Sequence, residues 1–165
     1  MNLGLLLICI MIFIKYDKED SLSFMTRKGY KEYLYCMFIV DFIIANRDRH
    51  GANIELLKLN NNYRLSPLYD YGLSLLFSFN SEKEYMNYDP LKDMKVNNYF
   101  GFNSLYKNLE LIPKKYLFKI KKLNENDKEY LFKDIDEIMP KSWVNAVFNM
   151  LNKRIEYYEH FRNKK

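Results

Sequence analysis

Asp48, Asn53 and Asp70 are the residues whose types and spacing suit a chemical task. The first two stand in the run Asn46-Arg47-Asp48-Arg49-His50-Gly51-Ala52-Asn53, and the third closes Leu65-Ser66-Pro67-Leu68-Tyr69-Asp70 and precedes Gly72. That task is phosphoryl transfer. The reaction needs a carboxylate to orient, and to deprotonate, an attacking hydroxyl. It also needs hard oxygen ligands that hold Mg²⁺ on nucleotide phosphates. Asp48 suits the hydroxyl, Asn53 offers a neutral oxygen to the metal, and Asp70 offers a charged one. Between Asn53 and Asp70 the sequence predicts a hairpin: a strand over Ile54–Leu59, a turn at Asn60-Asn61-Asn62, and a returning strand over Tyr63–Ser66 that ends at Pro67. A hairpin starting just after one residue and ending just before the other brings the two side by side.

The pattern Asn46-x-Asp48-x-His50-x-x-Asn53, followed by Ser66-Pro67-Leu68-Tyr69-Asp70, resembles the catalytic and metal-binding loops of HipA-like kinases, bacterial serine/threonine protein kinases best known as toxins of toxin–antitoxin pairs. The form Asp48-Arg49-His50-x-x-Asn53 with Asp70-x-Gly72-x-Ser74-Leu75 is closest to the HipA-like proteins of low-GC bacteria, and its first half is similar to phosphatidylinositol kinases. The resemblance spans about residues 38–76. It implies a kinase that moves the γ-phosphoryl group of ATP to a protein serine or threonine hydroxyl. Asp48 is then the catalytic base or hydroxyl-orienting residue, and Asn53 and Asp70 hold Mg²⁺ and, through it, the nucleotide. The implied partners are a protein substrate and an antitoxin. A lipid kinase of the phosphatidylinositol type is the nearest alternative activity.

The neighbours of these residues leave alternatives open. His50 is either a hydrogen-bond donor that fixes the loop or a proton acceptor in its own right. Arg47 and Arg49 either pair with acidic neighbours or touch phosphate. Gly72 is expected to permit a backbone turn after Asp70. Asp41, inside an apolar helical stretch, reads as a satisfied buried or edge carboxylate rather than a second base.

The elements that must position the site read as mainly α-helical, with one small β-hairpin, in a single domain over residues 1–165. By resemblance this is a protein-kinase-like C-terminal lobe. A long buried helix is predicted over Tyr30–Asn46, from the helical spacing of Tyr33, Leu34, Met37, Phe38 and Ile44. Pro113 opens a predicted helix through Tyr116 and Ile120, and Asn124 or Asn126 caps one through Tyr130, Leu131, Ile135 and Ile138. Pro140 or Ser142 opens a last long helix with Trp143, Val147, Met150, Leu151, Ile155, Tyr158 and Phe161 on one apolar stripe. Asp17–Gly29 reads as a loop or short helix, and no internal repeat or interdomain linker is visible.

Composition narrows the class further. Of 165 residues, 48% are hydrophobic and 17% aromatic, which excludes disorder as the main state, and 5 Gly and 4 Pro exclude collagen-like or linker chains. Cys9 and Cys36 make neither a disulfide framework nor a zinc site, which fits a reducing cytoplasm. The net charge of +5 is spread over dispersed lysines and a basic tail, so no direct nucleic-acid partner is expected. The apolar segment within residues 1–16, Leu3–Ile14, is shorter than the roughly 20 residues a spanning helix needs, and it reads as core rather than a membrane anchor. Its flanks lack the basic start and small-residue exit of a signal peptide.

One part of a kinase is not visible in this sequence. No pair among Gly4, Gly29, Gly51, Gly72 and Gly101 makes a phosphate loop, and no strand with a phosphate-binding lysine precedes Asp48. The N-lobe is therefore expected to be absent. The expected explanations are a truncated HipA-like product, a split kinase whose N-lobe is a separate chain, or a non-catalytic binding lobe.

Overall fold

In the computed structural model, residues 26, 29–54, 56–59, 62–66, 70–135 and 137–165 are described. The apolar segment over residues 1–16 and most of the predicted loop at Asp17–Gly29 lie outside them. The chain forms, in order, helix α1 (Lys31–Ile43), strand β1 (Asp48–Arg49), a 3₁₀ turn at Gly51–Asn53, strands β2 (Leu56–Leu59) and β3 (Asn62–Leu65), helix α2 (Glu82–Met86), strand β4 (Asn97–Asn98), helix α3 (Leu105–Glu110), a 3₁₀ turn at Lys114–Tyr116, and helices α4 (Glu125–Phe132) and α5 (Lys141–Lys164). The architecture is mainly helical.

Helix α1 is apolar nearly all round, as a helix at the centre of a core must be. Leu34, Met37, Phe38, Ile39 and Phe42 expose 1% or less of their surface. Each such burial is worth about 1.5–3 kcal/mol. They form one cluster with Leu105 and Leu109 of α3, with Ile112, and with Tyr158 of α5. A second cluster gathers Trp143, Val144, Val147, Met150 and Leu151 from the first half of α5 around Ala45, Leu76 and Tyr85. Helix α5 thus carries the apolar stripe read from the sequence and joins both clusters. Close approach is required at Gly101, where a Cβ would stand 2.3 Å from Asn108 Oδ1.

The hairpin forms as expected. β2 and β3 pair antiparallel with Leu56 opposite Leu65 and Leu59 opposite Asn62. Asn62, expected in the turn, belongs to the returning strand.

Three expectations need correction. Helix α1 stops at Ile43 rather than Asn46, because Ala45 takes a left-handed φ of 55°. Pro113 opens only the 3₁₀ turn at Lys114–Tyr116, and no helix runs through Ile120. The stretch after it is held extended by side chains of α5. Asn152 accepts from Leu123 N at 2.9 Å and donates to Leu123 O at 3.2 Å, Glu159 accepts from Ile120 N at 2.8 Å, and Tyr158 donates to Phe118 O at 2.8 Å. Backbone groups satisfied this way do not need a helix. Asn124 does cap α4, in a capping box with Asp127, but the helix ends at Phe132 and Asp134 turns left-handed at φ 68°. Ile135 and Ile138 are consequently exposed. Among the described residues, no helix is long and apolar enough to cross a membrane.

Candidate active site

The end of α1 builds the floor of the site. Asp41, in the last turn, exposes 1% of its surface. Its carboxylate accepts from Arg49 Nη2 at 2.7 Å, from Arg49 Nε at 3.0 Å, and from Asn46 Nδ2 at 2.9 Å. A carboxylate so buried is tolerable only when paired and hydrogen-bonded. This settles two open readings: Asp41 is a satisfied buried carboxylate, and Arg49 pairs with it. Burial opposes the Arg49 charge, but the Asp41 carboxylate outweighs burial and holds the guanidinium above the ordinary arginine value.

Arg49 then reaches outward. Its Nη1 donates to Asn53 O at 3.4 Å, and the guanidinium lies over the Tyr71 ring at 4.9 Å. Burial pushes the Tyr71 hydroxyl up. One buried cation therefore touches both the loop that carries Asn53 and the residue next to Asp70.

The loop itself is fixed by short polar bonds. Asn46 Oδ1 accepts from Asp48 N at 3.2 Å, an i to i+2 side-chain turn of the kind Asn favours. Strand β1 pairs parallel with β4, Asp48 opposite Asn97 and Arg49 opposite Asn98. Asn97 N donates to Arg47 O at 2.8 Å and Tyr99 N to Arg49 O at 3.0 Å. The 3₁₀ turn at Gly51–Asn53 brings Asn53 back, so that its Nδ2 donates to Asp48 O at 2.9 Å. That bond assigns the amide. The nitrogen is spent on the loop, and Oδ1 is the atom left for a cation.

Asp48 presents its carboxylate between two neighbours. Oδ1 accepts from Asn97 Nδ2 at 2.9 Å, and Oδ2 stands 3.7 Å from His50 Nε2. The second distance exceeds a hydrogen bond. Asp48 and His50 side chains keep about a third of their surface open, 32% and 37%. The arrangement leaves Oδ2 able to accept from an incoming hydroxyl, with His50 beside it.

Asp70 is exposed and takes a left-handed φ of 56°. Gly72 sits, as expected, in a turn after Asp70, which Ser74 N closes by donating to Tyr71 O at 3.0 Å, and the left-handed angles recur at Leu75 and Leu76, φ 53° and 62°. Such angles are uncommon for non-glycine residues and persist where the surroundings impose them. Here the backbone is clamped: Arg47 N donates to Leu73 O at 3.3 Å and Leu75 N to Ile44 O at 2.9 Å. The segment after Asp70 therefore runs alongside the segment leading to Asp48. At the hairpin's far end, Tyr33 of α1 donates to Ser66 O at 2.8 Å.

Asp48, His50 and Asn53 lie on one loop, with His50 Nε2 3.7 Å from Asp48 Oδ2 and Asn53 Nδ2 on Asp48 O, whereas for Asp70 it is the neighbouring Tyr71 that meets this loop, under Arg49. Among the described residues Arg47 pairs with no carboxylate, and it donates to Ser78 Oγ. Asn97 is the residue that sequence reasoning missed, since nothing in Asn97-Asn98 announces a strand 49 residues from Asp48. Asn46 carried a readable signal, its position two residues before Asp48.

Asn53 Oδ1 and the Asp70 carboxylate are hard oxygens, one neutral and one charged, of the type Mg²⁺ takes alongside waters and substrate phosphates. Among the described residues, no group of three or more His, Cys, Asp and Glu side chains could hold a metal alone. No protein-family model, curated protein or solved structure matches this chain, so its resemblance to HipA-like kinases rests on these residues themselves.

Proposed function

We propose that this chain is the catalytic lobe of a HipA-like kinase, transferring the γ-phosphoryl group of ATP to a protein serine or threonine hydroxyl. The observation that carries the reading is the bond from Asn53 Nδ2 to Asp48 O. It couples the residue that would meet the hydroxyl to the residue that would meet the metal, and it frees the amide oxygen for that second task.

In the proposed reaction, Asp48 Oδ2 accepts a hydrogen bond from the acceptor hydroxyl and takes its proton as the oxygen attacks the γ-phosphorus, whose bond to the β-phosphate oxygen breaks to release ADP. Asn97 holds the other carboxylate oxygen, so the approach direction is set. His50 flanks the acceptor side at 3.7 Å. Asn53 Oδ1 and the Asp70 carboxylate would hold Mg²⁺, which neutralises charge on the β- and γ-phosphate oxygens. Positioning and charge stabilisation supply most of such catalysis.

The test uses the full chain with ATP and Mn²⁺ as a paramagnetic stand-in for Mg²⁺. Selective broadening of the Asn53 side-chain amide and the Asp70 backbone signal is expected, lost in Asp70→Asn. Broadening confined to other acidic residues refutes the metal assignment. With a serine-containing protein acceptor and labelled ATP, transfer that persists in Asp48→Gln or Asp70→Asn refutes the catalytic one.

A second reading is a non-catalytic partner-binding lobe. It is favoured by the exposure of Leu73 and Phe77, 42% and 68%, on the segment following Asp70. Calorimetry separates the two, because a binding lobe shows no magnesium-dependent nucleotide heat at millimolar ATP.

A further inference from the structure

Arg154 of α5 exposes 1% of its surface, yet its charge has no carboxylate bonded to it among the described residues. Its Nε donates to Phe42 O and its Nη1 to Pro90 O, each at 2.5 Å. Its guanidinium stacks on the Phe42 ring at 4.4 Å. Nη2 is buried with no hydrogen-bond partner. Burial drives the Arg154 pKa down, with Tyr88, Tyr106 and Asp93 as the opposing influences. A buried cation held only by carbonyls and a ring is costly, as is an unsatisfied donor on it.

Arg154 lines a recess of about 10 Å³ whose wall also includes Arg47, Lys92, Tyr88 and Ser78. Three cations line it, and no carboxylate does among the described residues. Ala45, Leu73, Leu76, Phe79, Met94 and Leu105 make up the apolar remainder of its lining. Tyr88 senses Arg154, Arg47 and Asp89, and Asp93 is already engaged by Ser104 Oγ at 2.7 Å. Arg47 is half-buried and Lys92 is exposed. About 10–15 Å³ is room for a single water-sized atom. The floor therefore admits one oxygen, and the mouth cations can hold the remainder of a larger anion outside it.

We propose that this recess binds a phosphoryl oxyanion, with one oxygen on Arg154 Nη2 and the others between Arg47 and Lys92. Guanidinium and phosphate geometries match, and bonds between them are charge-assisted and strong. The ligand is either inorganic phosphate or a phosphate monoester on a protein side chain. Binding there would also stiffen the candidate active site, because the backbone of Arg47 is clamped to Leu73 and Asn97 on either side. The recess is separate from Asp48, Asn53 and Asp70 in its lining, and its occupancy does not depend on the kinase reading.

The experiment titrates the full chain with inorganic phosphate, and separately with a phosphoserine peptide, at constant ionic strength. Thermal unfolding and amide chemical shifts are followed. At tenfold excess over Kd, a rise in Tm of about 3–6 °C is expected. Shifts should centre on Arg47, Lys92 and Arg154. Lys92→Gln, an exposed substitution that spares the fold, should weaken binding at least about fivefold, and Arg154→Met should abolish it. Tighter binding of the peptide than of phosphate identifies a phosphorylated segment as the source, and the reverse identifies the free ion. No stabilisation by either ligand overturns the proposal, and so does unchanged affinity in Lys92→Gln.

Discussion

Replacing Arg49 by Met tests whether the floor beneath the candidate site is held by one buried ion pair. Arg49 and Asp41 side chains each expose 1% of their surface. The substitution removes both bonds to Asp41, the bond to Asn53 O and the contact with Tyr71. Among the described residues Asp41 then keeps the amide of Asn46 alone. Leaving one member of a buried pair uncompensated costs about 3–5 kcal/mol. For a chain of 165 residues that corresponds to a fall in Tm of about 6–20 °C. The double substitution Asp41→Leu with Arg49→Met removes the stranded charge and should recover a large part of the loss. Recovery stays partial, because Asn46 Nδ2 loses its acceptor. Urea denaturation of the four proteins gives the coupling energy, expected at about 2 kcal/mol or more. Hydrogen exchange should show Asp48 and Asn53 amides losing protection first in Arg49→Met, because Arg49 ties the α1 end to that loop. A loss below about 1 kcal/mol in Arg49→Met, or strict additivity in the double variant, refutes the reasoning.

Asn97→Ala removes the one amide bonded to Asp48 Oδ1 and should lower transfer about tenfold or more while changing stability by under about 1 kcal/mol; wild-type turnover in this variant would separate Asn97 from the site. Gly101→Ala places a methyl 2.3 Å from Asn108 Oδ1, which accepts from Phe102 N at 2.6 Å, so a loss of about 2–3 kcal/mol in denaturant titration is expected, and a neutral result would show that Asn108 can retreat. Tyr158 has no exposed surface, and burial pushes its hydroxyl up to about 12. Since this lies above the value of 10.0 for a free tyrosine, its stabilisation is intact below pH 10 and is lost as pH rises from 10 towards 12, at about 1.4 kcal/mol per unit. Tyr158→Phe should flatten that part of the alkaline denaturation profile, and identical slopes in both proteins would contradict the assignment.

Features governed by local periodicity were legible in the sequence. Helices α1 and α5 announced themselves by apolar spacing, α4 by the Asn124 cap, and the hairpin by its asparagine turn. Where the same periodicity met a competing partner, the reading failed. Ile120 fits a helical repeat after Pro113, yet its N–H is taken by Glu159 of α5. Ile135 and Ile138 extend the repeat of α4, but the left-handed turn at Asp134 ends it and leaves both in solvent. At the site, residue types were legible and supports were not. Asp48, Asn53 and Asp70 stood out by chemistry, whereas Asn97 entered through a two-residue parallel pairing whose long sequence separation leaves no local trace.

Arg49 and Arg154, each 1% exposed, show how differently one chain can hold a positive charge. Arg49 has a carboxylate of its own, eight residues earlier, and its remaining contacts serve the loop of the candidate site. Arg154 has two carbonyls, an aromatic face and an idle Nη2, in a recess shared with two further cations. Were both charges purely structural, each would be expected to carry its counter-charge inside the fold, since an apolar residue of similar volume would cost less than an unpaired ion. Only Arg49 does. Arg154 rests instead on Phe42 O in the last turn of α1, where the helix C-terminus supplies only partial negative charge, and the proposed anion would supply the remainder. Arg154→Met separates the two accounts: it should remove all stabilisation by phosphate, whereas with a purely structural arginine phosphate stabilises neither protein.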